Sequence, residues 1–399
     1  MTVSATVPSP SGSPVPAARR RRAMFALAMG GFGIGTTEFA AMGLLPQIAG
    51  GLKISEPTAG HVITAYALGV VVGAPVIAAL TARVPRKTLL IALMIAFTVG
   101  NAATIVAPSY GGLLVARFVA GLPHGAYFGV ASLVAAYLAG PGHRAKAVAM
   151  VMSGLAVANV AGVPAATWIG QGLGWRSAFA VVALIGALTV AAIALRVPPL
   201  HDVRTTDPRT ELSALRRGQV WLTLVVATVG FGGMFAVYTY VGWTMTDVAG
   251  LPVTLVPVAL MVYGLGMVAG NILGGRLADR ALTPGLFAML AALVGLLALF
   301  AVAAHNPFTA MLVLFLVASA GSALVPGLQT RLMDVAADAQ TLAAALNHSA
   351  LNVANAFGAW IGGVVIAAGL GYTAPALVGS ALALAGLAVL AVAVVTARR

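Results

Sequence analysis

Glu38 is the residue with the clearest chemistry to offer. It stands in "GTTEFAAMGLLP" (residues 35–46), inside an apolar stretch that opens at Ala23, and it is one of only nine acidic residues in the chain. A carboxylate at the centre of a bilayer costs about 2.5–3.5 kcal/mol on insertion scales. Apolar surroundings favour the neutral acid, so Glu38 is expected to bind and release a proton while facing a cationic or polar substrate. The plainer alternative is a carboxyl held by backbone groups beside Gly35 and Thr37. The other acids fall in loops or near the ends of apolar runs. Arg117 is the one base inside an apolar run; it is the candidate counter-charge or relay for Glu38, or else it pairs with backbone carbonyls and stabilises the fold. His124 lies seven residues on, two helical turns along the same face, with Tyr127 close by. His348, Asn352 and Asn355 share another face at i, i+4 and i+7. Such a stripe lines a pore or hydrogen-bonds helices together in lipid. Tyr238, Tyr240 and Trp243 suit either a substrate stack or an interfacial aromatic belt.

The elements that must carry these residues follow from composition. The chain has 399 residues, 60% of them hydrophobic and only 8% charged, with a mean hydropathy of +1.01. Soluble domains carry about 25% charged residues, so a water-facing surface is excluded. The 47 glycines suit close helix packing in lipid. With no cysteine there is no disulfide, thiolate metal site or cysteine nucleophile. Runs of about 20 apolar residues cross a bilayer as helices. Twelve are expected, near 23–45, 59–81, 88–107, 111–138, 146–170, 176–196, 219–242, 253–277, 285–304, 308–330, 340–368 and 373–396. Strands do not fit, because the runs neither alternate nor stay short.

Charge then orients the spans. With both termini cytoplasmic, nineteen of the 22 lysines and arginines fall on the inner side, Lys53 and Arg176 on the outer side, and Arg117 within a span. The net charge of +13 therefore faces a cytoplasmic lipid surface, and no nucleic-acid partner is needed. Residues 1–22 read as a disordered cytoplasmic segment and 197–218 as a cytoplasmic linker. Between and beyond them lie two six-helix bundles, 23–196 and 219–396. "RRRR" at 19–22 resembles a signal-peptide start, but the apolar run behind it is long and is expected to stay as the first helix.

An internal repeat supports the division. "SGLAVANVAG" (153–162) aligns with "SALNVANAFG" (349–358), making Asn159 the counterpart of Asn355; "AALTAR" (78–83) aligns with "GRLADR" (275–280). "GFG" recurs at 31–33 and 230–232. Two halves of even helix number enter from the same side, as parallel repeats around an axis normal to the membrane.

The chain resembles the major facilitator superfamily from about residue 23 to 396, within it the twelve-span drug:proton antiporters, and more narrowly the bacterial arabinose-efflux and chloramphenicol-exporter-like members. "ALTARVPRK" resembles the gating loop G-x-L-a-D-R-x-G-R-[KR] at Arg83, Arg86 and Lys87, with Ala78, Ala82 and Pro85 replacing its Gly, Asp and second Gly. "GRLADR" keeps Gly275, Asp279 and Arg280. "RFVAG" matches R-x-x-x-G at Arg117 and Gly121, and "GVPAATWIG" is a loose form of the antiporter kink at Gly162 and Pro164, with Val163 inserted. "GWRSAF" (174–179) and the stretch around Glu38 also look like this family. The resemblance implies an all-α integral membrane transporter of twelve helices in two pseudo-symmetric bundles. It implies a proton-relay role for Arg117 and a cytoplasmic latch at Asp279, whose carboxylate would dock on a helix N-terminus.

Other classes fit less well. No lysine sits in a Gly-Lys-[Ser/Thr] phosphate loop, and "GLGMVA" (264–269) lies in an apolar span rather than a strand-turn-helix unit. No metal cluster or nucleophile–base pair is evident, so an enzyme is not expected, nor any cofactor beyond the proton gradient. The expectation is a monomeric exporter of a drug, sugar or metabolite in the bacterial inner membrane, exchanging substrate for protons. A proton symporter importing a polar solute is the alternative. Symporters of this superfamily usually lack the kink motif, and its loose form keeps the importer open. A membrane protein without transport activity fits less well still.

Overall fold

The computed structural model describes residues 16–81, 83–140, 143–200, 213–336 and 340–397. The first fifteen residues, Ala82 of the first gating loop and most of the expected linker (201–212, with Arg204 and Arg209) lie outside them. Among the described residues every regular element is helical. The first part holds α1 (Ala17–Gly43), α2 (Leu45–Leu52), α3 (Glu56–Leu80), α4 (Arg86–Val106) and α5 (Tyr110–Ala139). It continues with α6 (Arg144–Val157), a π-turn (Ala158–Gly162), α7 (Val163–Leu173) and α8 (Trp175–Arg196). Then come α9 (Gly218–Val225), a π-turn (Val226–Gly230), α10 (Phe231–Thr239), α11 (Val241–Trp243) and a π-turn (Thr244–Val248). The last elements are α12 (Val256–Ala303), α13 (Pro307–Ala336), α14 (Gln340–Ala367) and α15 (Ala374–Ala397).

Ten segments among the described residues are long and apolar enough to cross a membrane, against the twelve expected from hydropathy. The difference has two causes. α1 is not among the ten: glycines, Thr36, Thr37 and Glu38 dilute its apolar character, and from Gly33 to Gly43 every residue is buried in protein. Such a helix need not be apolar towards lipid. Second, α12 joins two helices across a kink with no loop between them, so two expected spans form one segment. It breaks at Ala281 (φ −157°, ψ 69°). Pro284 follows three residues on; it lacks an N–H and its ring crowds the Arg280 carbonyl. α1 also starts six residues before the expected span, so Arg19 to Arg22 sit on its opening turns.

Local chemistry sets the ends and bends. Ser55 and Ser109 cap α3 and α5 by accepting from the Thr58 and Gly112 amides, at 3.4 and 3.2 Å. Gly174 (φ 87°) turns the chain from α7 into α8 in one residue, in a conformation open chiefly to glycine. Pro164 cannot bond the Val160 carbonyl, and the helix absorbs this through the π-turn at Ala158–Gly162. Gly264 on α12 crosses that turn so closely that a side chain there would strike the Asn159 carbonyl.

Side-chain contacts define two ends. At one, Lys87 Nζ donates to the Ala194 carbonyl (2.7 Å), Arg217 to Val335 O (3.4 Å) and Gln219 Nε2 to Thr396 Oγ1 (3.0 Å). At the other, His61 Nδ1 lies 2.8 Å from the Tyr110 hydroxyl, and Tyr372 donates to the Glu56 carboxylate. Arg176, expected on the outer side, is half-buried at this end. It stacks on Trp175 (4.2 Å) and donates to the Ile105 and Ala107 carbonyls, both at 3.0 Å, closing the end of α4. Between the ends the outer surface is apolar: Val99, Leu184 and Leu384 are 57%, 58% and 55% exposed.

Candidate functional site

Glu38 is buried on α1, and its two oxygens face different helices. Asn355 Nδ2 on α14 donates to Oε1 at 3.4 Å, across 317 residues of sequence. His124 Nδ1 on α5 lies 4.0 Å from Oε2. Tyr66 on α3 completes the group, its hydroxyl 3.1 Å from the same imidazole nitrogen. Among the described residues this is the one carboxylate–base pair within 4.0 Å. The arrangement gives Glu38 a partner from the first part of the chain and one from the second.

Arg117 is fully buried but does not pair with Glu38. Its guanidinium donates to Thr37 Oγ1 (3.0 Å) and to the Thr37 carbonyl (3.1 Å), one residue before the acid. The Thr37 hydroxyl donates on to Asn101 Oδ1 (2.5 Å), whose amide is tied to the Phe97 carbonyl (2.9 Å). The cation also lies over the rings of Tyr66 (4.4 Å) and Phe179 (5.2 Å). It therefore fixes the backbone beside Glu38.

Aromatic rings extend the site on both sides. His124 meets Phe128 edge-on (centroids 5.3 Å), and Phe128 lies parallel to His348 of α14 (6.4 Å, 6°). Phe39 meets Tyr238, which stacks on Tyr263 at 3.9 Å. Tyr238, Tyr240 and Trp243 are all buried, so the aromatic-belt alternative does not describe them. Tyr240 donates to the Ala359 carbonyl (3.0 Å), and Trp243 lies parallel to Tyr372 (6.3 Å).

The remaining expected residues divide. His348 and Tyr238 reach the site through Phe128 and Phe39. The Tyr127 hydroxyl is committed to the Leu27 carbonyl (2.8 Å), pinning α5 to α1. Asn159 and Asn352 donate back into their own helices, to Leu155 O and His348 O, both at 3.0 Å. The gating residues lie apart from Glu38. Arg83 is exposed, Arg86 buried, and Lys87 caps α8 through Ala194. Asp279 and Arg280 are exposed on the last turn before the Ala281 break, beyond Gly275. Among the described residues Asp279 has no hydrogen-bond or ion-pair partner, so no latch is formed there in this conformation. Sequence reasoning passed over Thr37, Tyr66, Asn101, Phe128 and Tyr263; a polar atom within an apolar run was the only available signal for four of them.

Comparison with known proteins places this geometry. The Major Facilitator Superfamily profile matches residues 27–304. The inner membrane transport protein YdhP of Escherichia coli strain K12 is 41% identical over 369 residues, covering 92% of this chain and 94% of that protein. A chloramphenicol resistance protein of Streptomyces lividans is 35% identical over 365 residues, covering 88% and 89%. Among solved structures, the nucleoside transporter NupG has the same fold, with a TM-score of 0.74 at 11% identity and coverage of 94% and 99%. Likeness of this extent, over an all-helical membrane architecture, makes the chain a multi-pass transporter belonging to the major facilitator superfamily.

Proposed function

We propose that the chain exports a small molecule in exchange for protons by alternating access, with Glu38 as the carboxyl that carries the proton. The observation behind this is the placing of Glu38 between His124 of α5 and Asn355 of α14. An ionisable group buried at membrane depth is expensive to keep and marks a transport path. Proton and substrate compete for it, so release of one accompanies binding of the other. The Streptomyces relative's name, a chloramphenicol resistance protein, favours the outward direction.

The same proposal takes α1 and the two arms of α12 as full spans. Twelve helices then form two six-helix halves with both termini on the basic, cytoplasmic face of the bacterial inner membrane. The packing supports the repeat: Gly162 receives Phe32 of the first "GFG", while Gly358 receives the Gly232 carbonyl of the second. The test uses everted vesicles with an imposed proton gradient and a panel of toxic compounds, chloramphenicol first. A transported compound should discharge the gradient, and Glu38→Gln should abolish the discharge at unchanged protein level. Discharge at the wild-type rate in that variant would refute the assignment.

A further inference from the structure

Among the described residues six helix-borne asparagines donate their amides, in two ways. Asn101, Asn159, Asn271 and Asn352 each donate to the carbonyl four residues back in their own helix, at 2.9 to 3.1 Å. This is the ordinary resting bond of a polar side chain in a helix. Asn347 and Asn355 bond outside their own helix: Asn347 donates to Gln329 Oε1 on the neighbouring α13 (2.7 Å), whereas the fully buried Asn355 reaches Glu38 on α1, in the first part of the chain. Its repeat counterpart Asn159 stays at home. The Asn355 Oδ1 atom is buried with no partner, as are those of Asn159, Asn347 and Asn352, but it alone belongs to an amide already bonded to Glu38.

That combination has a specific use. An amide both donates and accepts. The ionised carboxylate takes the Nδ2–H bond seen here. A protonated Glu38 can instead donate its O–H to Oδ1 after the amide turns over, which would satisfy an acceptor that is costly to leave unpaired. No Lys or Arg could answer both states, because neither has an acceptor. We propose that Asn355 is a positioning residue through which the protonation state of Glu38 is passed to α14, and so to the second half of the transporter. This rests on the Glu38 reading above and adds the partner that senses it. The other ionisable groups around Glu38 do not make this link. His124 and Tyr66 belong to the first half, and Arg117 is tied to Thr37. Tyr238 touches the acid's neighbour Phe39, and His348 faces Phe128.

The chain has no cysteine, so Lys53→Cys with Leu370→Cys places two spin labels across the halves, both positions being exposed. The full-length protein in lipid nanodiscs is titrated with pH and read twice. Infrared difference spectra follow the protonated-carboxyl band of Glu38, identified by its loss in Glu38→Gln, and pulsed electron resonance follows the inter-label distance. In the parent protein the distance is expected to shift as the band titrates. Asn355→Ala should keep a titrating band, moved to higher wavenumber by loss of a hydrogen bond, and lose the distance shift. Asn355→Gln should recover the shift, and Asn159→Ala and Asn352→Ala should retain it. A full distance shift in Asn355→Ala, or its equal loss in Asn159→Ala, would overturn the proposal while leaving Glu38 as the proton site. A carboxyl band and distance shift that both persist in Glu38→Gln would remove the Glu38 reading itself.

Discussion

Arg117 directs both of its bonds to Thr37, and the consequence is a rigid platform under Glu38. A guanidinium offers a planar fork that an ammonium cannot copy. Arg117→Lys should therefore lose at least one charge-assisted bond, about 1.5–3 kcal/mol, seen as a lower unfolding temperature in detergent. An unchanged unfolding temperature would show that the fork does not hold α1. At this scale the sequence was half legible. Glu38 and Arg117 stand out because a charge is conspicuous in an apolar run, and both are indeed buried near one another. That they do not bond to each other was not legible. Arg117 is bonded one residue short of the acid, and the chemistry that satisfies it, a threonine oxygen, looks like any packed polar group. Tyr66 was invisible for the same reason, since a tyrosine in an apolar helix is commonly part of the core.

Helices carry the site through their irregularities more than their regular turns. The π-turn at Ala158–Gly162 sets Asn159 where α12 crosses, with Gly264 against the Asn159 carbonyl, and Gly162 against Phe32 of α1. Gly264→Val is expected to force these helices apart, an overpacking cost of about 1–3 kcal/mol, measurable as a fall in unfolding temperature together with loss of transport. Retention of both would mean the crossing is loose. The Gly-Pro spacing in "GVPAATWIG" pointed to a kink at this place, and the structure has a π-turn, Ala158–Gly162, just before Pro164. Proline chemistry is local, so it can be read from a string. A loop was expected between two spans here, and a single non-helical residue, Ala281, joins the two helices instead. α1 shows the opposite limit: a helix wrapped by others loses the hydropathy signal that marks lipid contact, because protein replaces lipid around it.

At the scale of the whole molecule, one end is held shut across the two parts of the chain. Tyr372 donates to the Glu56 carboxylate, and Thr64 Oγ1 donates to the Ala356 carbonyl (3.4 Å). Burial first, and then the bond to Glu56, push the Tyr372 hydroxyl up from its ordinary value, so it remains a neutral donor at neutral pH. Tyr372→Phe removes that bond. At about 0.5–1.5 kcal/mol, maleimide labelling of Thr64→Cys between α3 and α14 should quicken, by up to about tenfold. Unaltered labelling would show that the ring stack on Trp243 suffices to close this end. The same chemistry tests orientation: Lys53→Cys should react with an impermeant reagent on intact cells, and Thr88→Cys only after permeabilisation. The central claim is that one buried carboxyl serves proton and substrate in turn. Purified protein in weakly buffered detergent, mixed with a compound that it transports, measures this directly through a pH indicator. Substrate binding should release protons from the wild type and none from Glu38→Gln; equal release from both would contradict the account.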